Sequence, residues 1–108
     1  VRVFVCSPYR GDVEANLAYA RRACSYVLEK GHAPFAPHLI YPTVLDDAWP
    51  ASRALGMAAG FKFLEACDEV WAFRDRGLSQ GMDQELQAAE ALGKPVREIF
   101  LDDESSES

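Results

Sequence analysis

Four short runs of β-branched and aromatic residues alternate with three longer segments whose apolar residues recur at helical spacing. Val1 to Cys6 is the first short run, closed by Ser7-Pro8, and predicts a buried strand. Asp12 is placed to cap a helix carrying Leu17, Ala20, Cys24, Val27 and Leu28 on one face, with Gly31 ending it. Ala33 to Ala36 predicts a second strand. Pro37 to Pro50 follows as a proline-punctuated connection too long for a tight turn, and such loops in compact domains usually carry function or disorder. Ala51 to Ala66 is helical by composition and apolar nearly all round, and Asp68 to Phe73 predicts the third strand. Ser79 is a cap for a third helix with the stripe Met82, Leu86, Ala89 and Leu92, ended by Gly93. Pro95 to Leu101 is the last strand.

Strand and helix in strict alternation imply right-handed crossovers and a parallel sheet covered on both faces. The expected fold is a three-layer, flavodoxin/Rossmann-like α/β domain over residues 1–101, with about four strands in the order 2-1-3-4. Ligands of open α/β sheets sit beyond the carboxyl ends of the strands, near the switch in strand order. That rule selects the loops Ser7–Asp12, Pro37–Pro50 and Arg74–Gly81.

Composition narrows the partners. The 108 residues are 49% apolar and 26% charged, an ordinary globular balance, and the length allows one domain. Of the net charge of −6, Asp102, Asp103, Glu104 and Glu107 supply most, so the chain up to Leu101 is nearly neutral. Residues 102–108 read as an acidic tail with nothing to bury. No basic stripe exists to neutralise a polyphosphate backbone, which speaks against a nucleic-acid polymer as partner. No apolar run approaches the roughly 20 residues that cross a bilayer, so no membrane partner is expected. Cys6, Cys24 and Cys67 are odd in number and lack Cys-x-x-Cys spacing, which fits reduced thiols in a cytoplasmic protein. No group of His, Cys and carboxylate has metal-ligand spacing, so neither a metal nor another cofactor is expected.

Two loops hold the candidate chemistry. In Cys6-Ser7-Pro8-Tyr9-Arg10-Gly11-Asp12 a strand end runs into a helix start, where free N–H groups favour an anion. Ser7 adds a hydroxyl, Arg10 a guanidinium fork, and Gly11 allows close backbone approach. The same residues also suit a plain capped turn with Arg10 on a surface acid, and the pattern leaves both readings open. In Ser79-Gln80-Gly81-Met82-Asp83-Gln84-Glu85, Asp83 fits a helix-dipole partner. Glu85 falls on the inward stripe instead, which makes it a candidate nucleophile or base. His38 and Tyr41 follow the second strand on the ligand side, and an imidazole near its usual pKa of about 6.5 suits protonation of a departing base. A structural hydrogen bond is the other role open to His38. Trp49, Trp71 and Phe73 offer faces to a base, although Trp71 and Phe73 alternate along a strand as core residues do.

The stretch Ser79-x-Gly81-Met82-x-x-Glu85, then Ala88-Ala89 and Ala91-Leu92-Gly93-Lys94-Pro95-Val96, resembles the signature of the nucleoside 2-deoxyribosyltransferase family. Cys67 to Trp71 and Cys6 to Gly11 resemble that family's preceding strand and first loop, so the likeness spans about residues 1–100. It extends to the 2'-deoxynucleoside 5'-phosphate N-hydrolases and is greatest to a poorly characterised bacterial and phage branch with a Ser-x-Gly-Met loop and a Pro-His-Leu segment. The resemblance implies cleavage of the base–sugar bond of a nucleoside or nucleoside 5'-monophosphate, by hydrolysis or transfer, with Glu85 as the nucleophile. Ser7, Arg10, Gly11, Ser79 and Gly81 would line a 5'-phosphate. Tyr9, His38, Asp47 and Met82 complete the expected substrate-binding set. The better-known members carry an aspartate eight residues before the equivalent of Asp68, and Gly60 stands there in this chain. Asp46, Asp47 and His38 are the available substitutes. The missing acid keeps a second reading open, a nucleotide-binding or sensing module without turnover.

Gly56 and Gly60 lie four apart on an alanine-rich helix, and each costs about 1 kcal/mol against alanine. Close approach of another helix would account for them. A homodimer or homotetramer is the expected assembly, which the resemblance implies as well.

Overall fold

A computed structural model describes residues 1–46 and 48–102. Four parallel strands, β1 (Arg2–Cys6), β2 (Ala33–Phe35), β3 (Glu69–Phe73) and β4 (Val96–Ile99), form one sheet in the order β2-β1-β3-β4. Helices α1 (Val13–Glu29), α2 (Pro50–Ala66) and α3 (Gln80–Ala91) make the crossovers. This is the flavodoxin-like arrangement expected from the alternation of elements.

Period-two patterning in the central strands builds a core on each face. Val3 and Val5 of β1 and Trp71 and Phe73 of β3 point to one side, where Tyr19, Ala23 and Val27 of α1 cover them. Phe4, Cys6, Val70 and Ala72 point to the other side, against Leu64 of α2 and Met82 and Ala89 of α3. The chain moves one way from β1 to β2 and the other way from β1 to β3. A fixed crossover hand therefore puts α1 on the opposite face from α2 and α3. The strand order switches at β1 and β3, which pair with Val5 opposite Trp71 and Cys6 opposite Ala72.

The element ends follow local chemistry. Asp12 accepts from Ala15 N at 3.2 Å and starts α1. Gly31, at φ +87°, provides the left-handed residue just beyond its end. Ser79 Oγ accepts from Met82 N at 3.2 Å and starts α3. Three expectations need revision. The long connection contains two 3₁₀ turns, Pro37–Leu39 and Tyr41–Thr43, each with proline in its first turn. Leu92 lies beyond the end of α3 and is exposed, so the inward stripe of that helix is Met82, Glu85 and Ala89. Gly56 and Gly60 face the chain's own connection and not another helix. A Cβ at Gly56 would meet Leu45 at 3.5 Å and Tyr41 at 3.7 Å, and one at Gly60 would meet Pro37 at 3.8 Å.

Asp102, counted with the tail on composition, is held in place. Its N–H donates to Asp75 at 3.0 Å and its carboxylate takes a bond from Arg22 at 2.8 Å. The rest of the tail, residues 103–108, lies outside the described residues. No helix among the described residues is long and apolar enough to cross a membrane.

Candidate active site

A cleft of about 520 Å³ opens where the strand order switches, between the β1–α1 loop, the long connection, α2 and the start of α3. Pro37, Tyr41, Pro42 and Leu45 give it one largely apolar wall, and Gly56, Met57 and Gly60 of α2 give it another. Polar groups are few: Arg10, His38, Ser52, Arg53, Gln80, Gln84 and Glu85 are the main ones. Apolar walls with a handful of convergent polar groups suit a small organic ligand.

Glu85 is the most perturbed of these groups. It is only 4% exposed, and its Oε1 has no hydrogen-bond partner. Burial pushes its pKa up to about 8, partly offset by the Cys6 thiol beside it. Cys6 ends β1 directly beneath the first turns of α3, with Sγ 3.7 Å from Met82 O. Burial, and then the neighbouring Glu85 charge, pushes the Cys6 thiol far above its ordinary value, so it stays protonated. The result is a carboxyl whose protonation state is poised near neutral pH at the base of a ligand-sized cleft.

The other candidates separate into two groups. Tyr9, Arg10, His38, Ser79 and Gly81 reach the cleft with Glu85. The rings of Tyr9 and His38 stack at 5.2 Å and 27°, joining the first loop to the long connection. Ser7, Gly11 and Met82 lie outside the lining. Ser7 is 1% exposed with an unpartnered Oγ, Gly11 is exposed at φ +101°, and the Met82 side chain belongs to the core. Asp47 lies outside the described residues. Trp71 and Phe73 are core, and Trp49 is exposed away from the cleft lining.

Arg53 is the principal lining residue that sequence pattern missed. It stands in the first turn of α2, and its Nε is buried without a partner. The weak signal for it was its rarity: α2 has only four clearly polar side chains, and two of them, Ser52 and Arg53, face the cleft. Among the described residues, no group of three or more His, Cys, Asp or Glu could hold a metal ion.

The fold places the chain among flavodoxin-like α/β proteins, with a ligand-sized cleft at the strand-order switch. The sequence matches, over residues 1–99, the family described as Domain of unknown function (DUF7768), and the chain belongs to that family. No curated protein matches it. Among solved structures it is similar to the 2-deoxyribosyltransferase of Bacillus psychrosaccharolyticus, with TM-score 0.74 and 19% identity over 91% of this chain and 71% of that one. A 2-desoxiribosyltransferase from Leishmania mexicana gives TM-score 0.65 and 20% identity over 92% of this chain but only 63% of the other. The Clostridium botulinum CMP N-glycosidase BcmB gives 0.55 and 20% over 93% and 69%. At such identities the likeness is one of fold.

Proposed function

We propose that the cleft binds a nucleoside or nucleoside 5'-monophosphate and that Glu85 cleaves its base–sugar bond. The observation that carries this reading is the Glu85 carboxyl, buried at the cleft with one oxygen unpartnered. In the ionised form it attacks the anomeric carbon opposite the base. The carbon–nitrogen bond breaks, its electron pair leaves with the base, and a glycosyl ester forms on Glu85. Water, or the nitrogen of a second base, then opens the ester and restores the carboxylate. A fixed negative charge beside the anomeric carbon stabilises the cationic, oxocarbenium-like transition state. In this reading His38, on the cleft wall, protonates the departing base and Arg10 pairs with a 5'-phosphate. The scheme calls for no metal or cofactor. The 2-deoxyribosyltransferases and the CMP N-glycosidase of similar fold support glycosyl transfer or hydrolysis as the reaction class.

The test is a screen of nucleoside 5'-monophosphates and nucleosides for release of free base, with wild type and Glu85→Gln. Wild-type release that Glu85→Gln abolishes, with folding unchanged, is the expected result. Release that survives the substitution removes Glu85 from the nucleophile role. Gly60, where the resembling enzymes carry an acid, favours the alternative of a nucleotide-binding module without turnover. Stoichiometric nucleotide binding with no base release would establish that alternative.

The reading includes a homo-oligomer and a cytoplasmic setting. Cys6, Cys24 and Cys67 are free thiols, as a reducing compartment would keep them.

A further inference from the structure

Asn16 is 4% exposed on α1, outside the cleft lining, and its amide makes three hydrogen bonds. Its Nδ2 donates to Tyr9 O at 3.1 Å and to Arg10 O at 3.0 Å. Its Oδ1 accepts from Arg76 Nε at 2.7 Å. Carbonyls only accept and a guanidinium only donates, so this amide has one satisfactory orientation. Tyr19, three residues on and on the same face of α1, grips the neighbouring loop residue. Its hydroxyl donates to Asp75 Oδ1 at 2.5 Å and accepts from Asp75 N at 3.0 Å. Helix α1 thereby holds two cleft-forming loops at once. One is the β1–α1 loop, whose Tyr9 and Arg10 line the cleft. The other is the β3–α3 loop, which leads to Ser79 and Gly81.

We infer that Asn16 is a positioning residue, clamping the Tyr9–Arg10 backbone to the Arg76 loop so that the cleft is preformed for its ligand. The inference rests on the proposal that the cleft takes a nucleotide, and it names the residue that aims two of the groups recognising it. Water could solvate the Tyr9 and Arg10 carbonyls in a mobile loop. A buried side chain meeting both of them fixes the loop instead, and small misplacements of binding groups cost much of their effect.

Asn16→Asp separates the two halves of the clamp. The carboxylate still accepts from Arg76, but its second oxygen faces two carbonyl oxygens it cannot bond. Amide hydrogen exchange at residues 9–12 should accelerate in this variant while the second half of α1 exchanges as before. Nucleoside 5'-monophosphate should bind about tenfold more weakly. Arg76→Ala should give a smaller loss, and the double variant no more than Asn16→Asp alone, because Arg76 acts on the loop through Asn16. Unchanged exchange at residues 9–12 would overturn the clamp. Faster exchange with unchanged nucleotide affinity would leave Asn16 a structural residue only and overturn the positioning role. A wild type that binds no nucleotide would overturn the reading of the cleft itself and this role with it.

Discussion

Glu85 is the residue at which folding and chemistry pull in opposite directions. Its side chain enters the protein on the inward stripe of α3, where Met82 and Ala89 are apolar, and it loses the water that would stabilise its charge. In an unfolded chain it ionises near the usual 4.5, whereas in the folded protein its pKa rises to about 8. Between those values the folded state holds a proton that the unfolded state has released. Stability therefore falls as pH rises through that window, by up to about 1.4 kcal/mol per pH unit. Glu85→Gln removes the titration. Denaturant unfolding at several pH values should show the variant gaining on wild type as pH rises from about 5 to 8, and a constant difference would show that Glu85 does not titrate there. If Glu85 is the nucleophile, kcat/KM should rise along an acid limb with its midpoint near that same value of about 8. The stripe spacing made Glu85 a candidate, and the family resemblance implied its role. Spacing could not point to Arg53 or Asn16, because nothing local distinguishes a polar side chain turned to a cleft from one turned to water.

At the scale of elements, helix and strand were legible to within a residue or two, since most have a period, a cap or a glycine stop. The last strand stops at Ile99, short of the expected Leu101, which begins a helical turn. Asp12, Ser79, Gly31 and Gly93 mark ends by local chemistry that needs no tertiary context. The long connection was not legible, because prolines exclude regular structure without specifying what replaces it. The contacts of Gly56 and Gly60 were beyond reach for the same reason, since their neighbours come from that connection. Another tertiary feature with no local signal is Asp75, which joins three elements. Burial works against its charge, but the Tyr19 hydroxyl and the N–H groups of Asp102 and Leu101 outweigh it and hold the pKa below the ordinary carboxylate value. The stability this contributes is present above the ordinary value of 3.8 and is lost as pH falls through the depressed one. Asp75→Ala would leave the Tyr19 O–H and the Leu101 N–H without their acceptor, while the residue 75 N–H still reaches the Tyr19 oxygen, at a cost of about 1–3 kcal/mol for each lost acceptor. In a domain of this size the melting temperature should drop by roughly 10 °C or more, read by circular dichroism near neutral pH. A drop of a degree or two would mean that water replaces Asp75 at little cost. The Arg22–Asp102 pair is exposed on both sides and adds little to this junction.

At the scale of the whole molecule, α2 leaves large apolar side chains exposed, Leu55 and Phe63 among them. Its polar residues are Ser52, Arg53, Lys62 and Glu65, and the first two line the cleft. The outward side of its first half carries Ala51, Leu55 and Ala58, spaced four and three apart on one face, before Lys62 and Glu65 continue that face as charge. Leu55 is 63% exposed, and Trp49, just before the helix, is 65% exposed. Contiguous apolar surface of this kind is uncommon on monomers beyond a few hundred Å², and a two-fold axis through it would bury the same patch on both copies. The two helix glycines no longer argue for a second copy, because Gly56 and Gly60 face the chain's own connection. The outer face carries the argument alone. Sedimentation at roughly tens of micromolar should find a dimer or larger assembly. Leu55→Arg should shift it towards monomer with helical content unchanged, because Leu55 is absent from both cores. Arg53 and Met57 reach the cleft from the same helix, so base release should fall with dissociation if the partner steadies that wall. A wild type that stays monomeric at those concentrations would show that the face is tolerated in water and overturn the assembly.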